Sequence, residues 1–219
     1  NLMALRINIG CGQTPTQGWR NFDNSFSLRL SRIPMLANFL LKLRLLDIHQ
    51  YEFIQYARES SIEYGDAIKG LPVQDESAEA IYSSHMLEHL DRYQADLFLK
   101  DVFRVLQSGG IIRICVPDIN IYVDRYNKSN DADAFIKSTL LTVSPPRSFV
   151  QRLKSIVVGP RHHQWMYDGN SLCNLLNKHG FVKTEIMPAG HTKISNYEPL
   201  NLTEKRSKSV YVEAEKPSA

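Results

Sequence analysis

The alternation of apolar and polar residues marks where this chain is extended. Leu5-Arg6-Ile7-Asn8-Ile9 alternates and then stops at Gly10-Cys11-Gly12, the pattern of a strand running into a tight glycine turn. Asn21-Phe22-Asp23 and Ser61-Ile62-Glu63-Tyr64 predict two short strands, the latter ending at Gly65-Asp66. Ala78 to Ser84 predicts a fourth, after the turn-rich Gln74-Asp75-Glu76-Ser77. Ile111 to Val116 is nearly all apolar, as a strand buried on both faces should be, and Pro117 ends it. Phe181 to Met187 and Ser209 to Glu215 predict the last two strands.

Helical spacing fills the gaps. From Leu28 to Leu46 apolar residues recur at helical intervals around Pro34, which suits the first turn of a helix. Ser84 to Leu90 and Tyr93 to Leu106 read as helices, the second stopped by Ser108-Gly109-Gly110. Gly169 to His179 carries Leu172, Leu175 and Leu176 on one face, with Gly180 as its C-terminal stop. Only Gln13 to Arg20 separate the first two strands, fewer than the roughly ten to twelve residues of a complete crossover. The first helix must therefore be curtailed. Strands alternating with helices predict an α/β fold, Rossmann-like and doubly wound, on a mostly parallel sheet covered on both sides. One domain over 1–219 is expected, with cap insertions near 28–60 and 127–168.

Composition narrows the classes. The 219 residues suit one domain, and a net charge of +3 gives no warrant for nucleic-acid binding. Cys11, Cys115 and Cys173 are far apart, without the spacing of a zinc site or disulfide framework, so a reducing compartment fits. No apolar stretch approaches the roughly 20 residues of a membrane span, and no signal peptide is expected. A cytoplasmic protein is expected.

Charge is unevenly placed. Leu28 to Leu46 holds four Lys/Arg and no acid, and Ala134 to Tyr167 holds five and no acid. Three readings stay open: a cap recruiting an anionic acceptor, with Arg147, Arg152 and Arg161 as its charges; a solvated basic face; or peripheral membrane contact by the first segment.

The candidate chemistry lies at the strand ends. Glycines after the first strand let a nucleotide-like ligand approach the backbone, although many strand-to-helix turns hold two glycines. Asp23, ending the second strand, can accept hydrogen bonds from both ribose hydroxyls, or can serve a turn before Asn24 and Ser25. Asp66, ending the third, can receive an adenine amino group, or can cap the loop Ala67-Ile68-Lys69-Gly70. Each is ambiguous alone, whereas two acids at neighbouring strand ends after a glycine turn form a constellation.

These residues bring a family into view. Ile7-Asn8-Ile9-Gly10-Cys11-Gly12 with Gly18-Trp19-Arg20-Asn21-Phe22-Asp23 resembles the opening of class I S-adenosylmethionine-dependent methyltransferases, as does Gly65-Asp66-Ala67 before Leu71-Pro72-Val73. Asp75 to Leu90, and Arg104 to Gly110 running into Ile111 to Pro117, resemble the "methyltransferase type 11" group. The nearest likeness is to predicted methyltransferases of polysaccharide biosynthesis clusters. The resemblance implies a seven-stranded sheet with an antiparallel last strand. It implies S-adenosyl-L-methionine as cofactor and S-adenosyl-L-homocysteine as product. It further implies that Asn8, Gly10, Cys11 and Gly12 line the methionine part, Asp23 and Asn24 the ribose, and Asp66, Ala67 and Ile68 the adenine. Ser83, Ser84 and His85 would face the methyl group. Asn8 replaces the acid that often opens the first motif, and Thr14 stands where a third glycine is common.

His85, Glu88 and His163 are the candidate catalytic residues. As a helix, the fourth-strand exit would put His85 and His89 on one face. That HxxxH pair lacks HExxH context and a third ligand, so no metal is expected. The acceptor is an unidentified small molecule, sugar or glycan. Two other readings compete: a cofactor-binding scaffold without catalysis, and an NAD-dependent oxidoreductase. Pro15 stands against the latter, in place of the third glycine of GxGxxG.

Overall fold

The predicted strands pair into one sheet. They are β1 (Leu5–Ile9), β2 (Arg20–Asp23), β3 (Ile62–Tyr64), β4 (Ala78–Ser84), β5 (Leu106–Pro117), β6 (Val182–Met187) and β7 (Ser209–Glu215). The computed structural model describes residues 5–43, 46, 48–142, 148, 152 and 162–218. Sheet order is β3-β2-β1-β4-β5-β7-β6, with β7 antiparallel to β5 and β6 and every other pair parallel. The expected Rossmann-like sheet with an antiparallel last strand is observed. The order reverses between β1 and β4, and open α/β sheets bind ligands at the carboxyl edge beside such a switch.

No helix joins β1 to β2. The chain turns at Gly10, whose amide and that of Cys11 both bond the Phe22 carbonyl, at 2.8 and 3.2 Å. Asn21, 2% exposed, satisfies the connecting loop by accepting from Thr16 N and donating to the Thr16 and Trp19 carbonyls.

Helices α1 (Phe26–Ser31), α2 (Pro34–Lys42) and α3 (Ile48–Glu59) lie between β2 and β3, where the first insertion is expected. Pro34 opens α2 as expected, while α3 has no counterpart in the sequence reading. Leu28 and Ala57 pack with Cys11 and Ile62, joining the insertion to the glycine turn and β3. Arg29 caps this joint, bonding the Tyr64 hydroxyl at 2.7 Å and lying over its ring.

The main core lies under α4 (Arg92–Val105) and α7 (Gly169–Lys178). Each starts in a capping box, Asp91 with Gln94 and Asp168 with Ser171. Phe98, Leu99 and Val102 of α4 are wholly buried, and each contributes about 1.5–3 kcal/mol. On the opposite face, Ile194, Leu200 and Leu202 of the segment between β6 and β7 cover Tyr82, Cys115 and Tyr211. Two further helices, α5 (Ile119–Ser129) and α6 (Ala132–Thr139), follow β5. Among the described residues no helix is long and apolar enough to cross a membrane. Much of the insertion expected over 127–168 lies outside the described residues, including Arg147 and Arg161.

Two sequence expectations need correction. Tyr93 to Leu106 is not one helix ended by Ser108-Gly109-Gly110. The helix ends at Val105, and Leu106 to Gly110 already belong to β5. Ala78 pairs with Leu106 and Ala80 with Ile111, so residues 107–110 form a wide bulge, which the positive φ of Gly109 allows. Nor does a helix span Ser84 to Leu90: Ser84 ends β4, and only Leu87–His89 form a 3₁₀ turn.

Candidate active site

The glycine turn and Asp23 are one hydrogen-bonded unit. Gly12 N donates to Asp23 Oδ2 at 3.1 Å and Ser25 N to Asp23 Oδ1 at 2.7 Å, leaving each oxygen a further lone pair. Asp23 is 8% exposed, at the tip of β2. A Cβ at Gly12 would meet nothing within 4 Å, so open space lies beside the turn. Asp66 follows β3, holds Ile68 N at 3.2 Å, and lines a narrow cleft with Gly10, Asn24, Ala67 and Ile68.

The remaining predicted cofactor residues are placed differently. Asn8 points to the opposite face of β1 from Ile7 and Ile9 and donates to Thr14 O and Thr16 Oγ1. It braces the loop below the turn. The Cys11 thiol packs into the insertion, and burial with the nearby Asp23 charge pushes its pKa up to about 12. Ser83 is wholly buried, and its hydroxyl has no partner among the described residues. Ser84 pairs with Cys115 at the strand end. The wall of the cleft comes instead from Met86 and Leu90, which the sequence reading missed. Met86 presses on Gly10 so closely that a Cβ there would lie 2.7 Å from Met86 Cγ. A more open cavity is lined by Gln13 with His49, Glu52, Phe53 and Tyr56 of α3, which sets the first insertion beside the glycine turn.

His85 takes a left-handed conformation (φ 50°) straight after β4, so it shares no helix face with His89. Its ring is held from both sides, with Nδ1 3.2 Å from Glu88 Oε1 and Nε2 3.0 Å from Ser209 Oγ. Burial opposes protonation there, but Cys115 and Glu88 more than offset it, and the pKa rises to about 9.

His163 is brought to the same place from 75 residues beyond Glu88. Gln164 N and Trp165 N donate to the Glu88 carbonyl at 2.7 and 3.2 Å, and Gln164 Nε2 donates to His89 O. Burial holds the His163 pKa below the ordinary histidine value, the neighbouring Glu88 charge opposing. The three predicted catalytic residues thus assemble: His85 touches Glu88, and Glu88 shares a cluster with His89 and His163.

Comparison with known proteins agrees with this geometry. Residues 33–114 match the family model described as "Methyltransferase domain". That range includes Asp66 and the β4 exit but not the glycine turn or Asp23, which the fold supplies. No curated protein matches the chain. Among solved structures, a SAM-dependent methyltransferase of Methanosarcina mazei is similar at 14% identity and TM-score 0.53, over 98% of this chain and 92% of that one. One from Thermotoga maritima has 14% identity and TM-score 0.51, over 99% and 83%. The Haemonchus contortus enzyme named phospholethanolamine N-methyltransferase 2, in complex with S-adenosylhomocysteine, has 12% identity and TM-score 0.51, over 98% and 50%. At these identities the likeness shows the fold, a Rossmann-like methyltransferase fold. With the domain match it supports a SAM-dependent methyltransferase whose cofactor is S-adenosylmethionine.

Proposed function

We propose that this chain transfers a methyl group from S-adenosylmethionine to a small-molecule, sugar or glycan acceptor, such as one used in polysaccharide assembly. The observation that carries this reading is the shared cleft, where the turn bonded to Asp23 opens towards Asp66. Asp23 would hold the ribose hydroxyls on its free lone pairs, and Asp66 with Ala67 and Ile68 the adenine. Gly10 and Gly12 leave backbone and open space for the methionine part. The cofactor supplies an electrophilic methyl on a sulfonium centre. The chain's own part is to bind, align and exclude water, and alignment alone can lower a barrier by on the order of 7–11 kcal/mol.

His85 holds Glu88 and Ser209 in place and remains the candidate for any general base. An acceptor that arrives anionic needs none, and the basic residues of the insertions suit such an acceptor. The three cysteines carry no disulfide, which fits a cytoplasmic enzyme. Isothermal titration tests the reading. It expects S-adenosylhomocysteine to bind and NAD not to bind; the reverse result would replace it with the oxidoreductase reading. Methyl transfer to a panel of acceptors then separates an enzyme from a cofactor-binding scaffold.

A further inference from the structure

Beside the cleft, three side chains with ligand-type atoms converge. Glu88 is 1% exposed; its Oε1 meets His85, and its Oε2 has no partner among the described residues. His89 turns Nδ1 to the His162 carbonyl at 3.0 Å, and His163, itself 7% exposed, turns Nδ1 to the Thr139 carbonyl at 2.7 Å. A carbonyl only accepts, so each Nδ1 carries the hydrogen and each neutral ring presents a lone pair at Nε2. One donor atom from each of Glu88, His89 and His163 lies within 4.8 Å of the other two. The imidazoles stand edge to face, with centroids 5.1 Å apart. A buried carboxylate oxygen without a donor is costly unless something positive sits beside it.

We propose that Glu88, His89 and His163 bind a divalent transition-metal ion of the zinc type. Two imidazoles and a carboxylate are a three-ligand set for such an ion and leave a coordination position open. In a filled tetrahedral site the ligand atoms stand about 3.3 Å apart, so the widest pair would close by up to about 1.5 Å. The supports of a metal site are already built. Both ring Nδ1 atoms rest on backbone carbonyls, and the second Glu88 oxygen rests on His85. Backbone hydrogen bonds from Gln164 and Trp165 to Glu88, and from His163 to Leu140, lock the two chain segments together. The sequence offered only His85 and His89; the structure replaces His85 with Glu88 and supplies His163.

Met86 and Leu90, on either side of the turn, line the cofactor cleft. An acceptor hydroxyl in the open coordination position would be more acidic and would release its proton to water more readily. That use of the ion rests on the methyltransferase reading, whereas the binding of the ion does not.

The test is Co²⁺ titration of the full chain after EDTA treatment, followed by visible absorption, with Zn²⁺ competing. One ion per chain is expected. His89→Ala and His163→Ala should weaken binding at least tenfold, and His191→Ala should leave it unchanged. If either histidine variant does not fold, Glu88→Gln, of the same shape, carries the comparison and should also weaken binding. Wild-type protein that takes up no Co²⁺ at millimolar concentration, or variants that bind as wild type does, would overturn the site and leave water among these atoms. S-adenosylhomocysteine titrated into the metal-free protein separates the two readings. Its binding where Co²⁺ fails retains the methyltransferase and removes the ion; its failure where Co²⁺ binds does the opposite.

Discussion

The Gly12 amide donates to the Asp23 carboxylate at 3.1 Å, tying the first strand's exit to the second strand's tip. Because no helix intervenes between β1 and β2, this bond does part of the positioning that a crossover helix would otherwise do. Asn8 and Asn21 secure the loop beneath it. The turn is therefore set before any ligand arrives, so ordering it costs little on binding.

Asp23→Asn keeps the shape and removes the charge. Hydrogen bonds to a charged group contribute about 1.5–3 kcal/mol, so S-adenosylhomocysteine affinity should fall by roughly 10- to 150-fold. Calorimetric titration measures this, and an unchanged Kd would remove Asp23 from the site.

How far the sequence reaches can be seen residue by residue. β1, β4 and β7 are legible because alternation or a continuous apolar run stops at glycine, histidine or lysine. Asp23 and Asp66 stand out only as a pair at neighbouring strand tips after a glycine turn, since each alone also serves a turn, accepting from Ser25 N and Ile68 N. The exit of β4 is not, since Ser84 to Leu90 has helical composition while His85 turns left-handed to reach Glu88 and Ser209. The Ser209 contact joins residues 124 apart, and His163 comes to Glu88 from 75 residues away. Arg113 is hidden for another reason. It lies inside an apolar run yet is wholly buried, because Glu213 meets it from the antiparallel strand.

Arg113 and Glu213 form a buried pair with N–O distance 2.7 Å, and Glu213 also accepts from Thr192 and Lys193 N. Arg113→Met leaves a buried carboxylate uncompensated and should cost about 3–5 kcal/mol. Urea denaturation should show that loss, and the double variant Arg113→Met with Glu213→Leu should recover part of it. A single variant within about 0.5 kcal/mol of wild type would show that the pair is not holding the loop after β6 to the sheet.

Asp96 on α4 meets His179, the C-cap of α7, at 2.8 Å, and this bond holds the Asp96 carboxyl below its ordinary pKa. A lowered folded pKa adds stability above the unfolded carboxyl value of about 3.9 and loses it as pH falls through the folded value. Asp96 is partly exposed, so the contribution is at most about 1 kcal/mol. Asp96→Asn should therefore lower Tm at pH 7 and match wild type near pH 2. A Tm difference that persists undiminished in acid would mean that the loss lies in packing and not in the charge.

Gly10 and Gly12 both have positive φ, at 71° and 49°, but they are glycines for different reasons. An added Cβ at Gly10 would collide with Met86 at 2.7 Å, whereas at Gly12 it would enter open space. Gly12→Ala should cost only the backbone strain, about 1 kcal/mol. Gly10→Ala adds to that strain the displacement of Met86 from the cleft wall, so its loss of Tm should be the larger. Ligand binding should invert the order of tolerance relative to stability: the methyl group of Gly12→Ala enters the open space at the turn, which the bound ligand would fill. Gly12→Ala should therefore remain folded and lose S-adenosylhomocysteine binding at least tenfold. A well-folded Gly12→Ala that binds as wild type does would place the ligand elsewhere than at this turn.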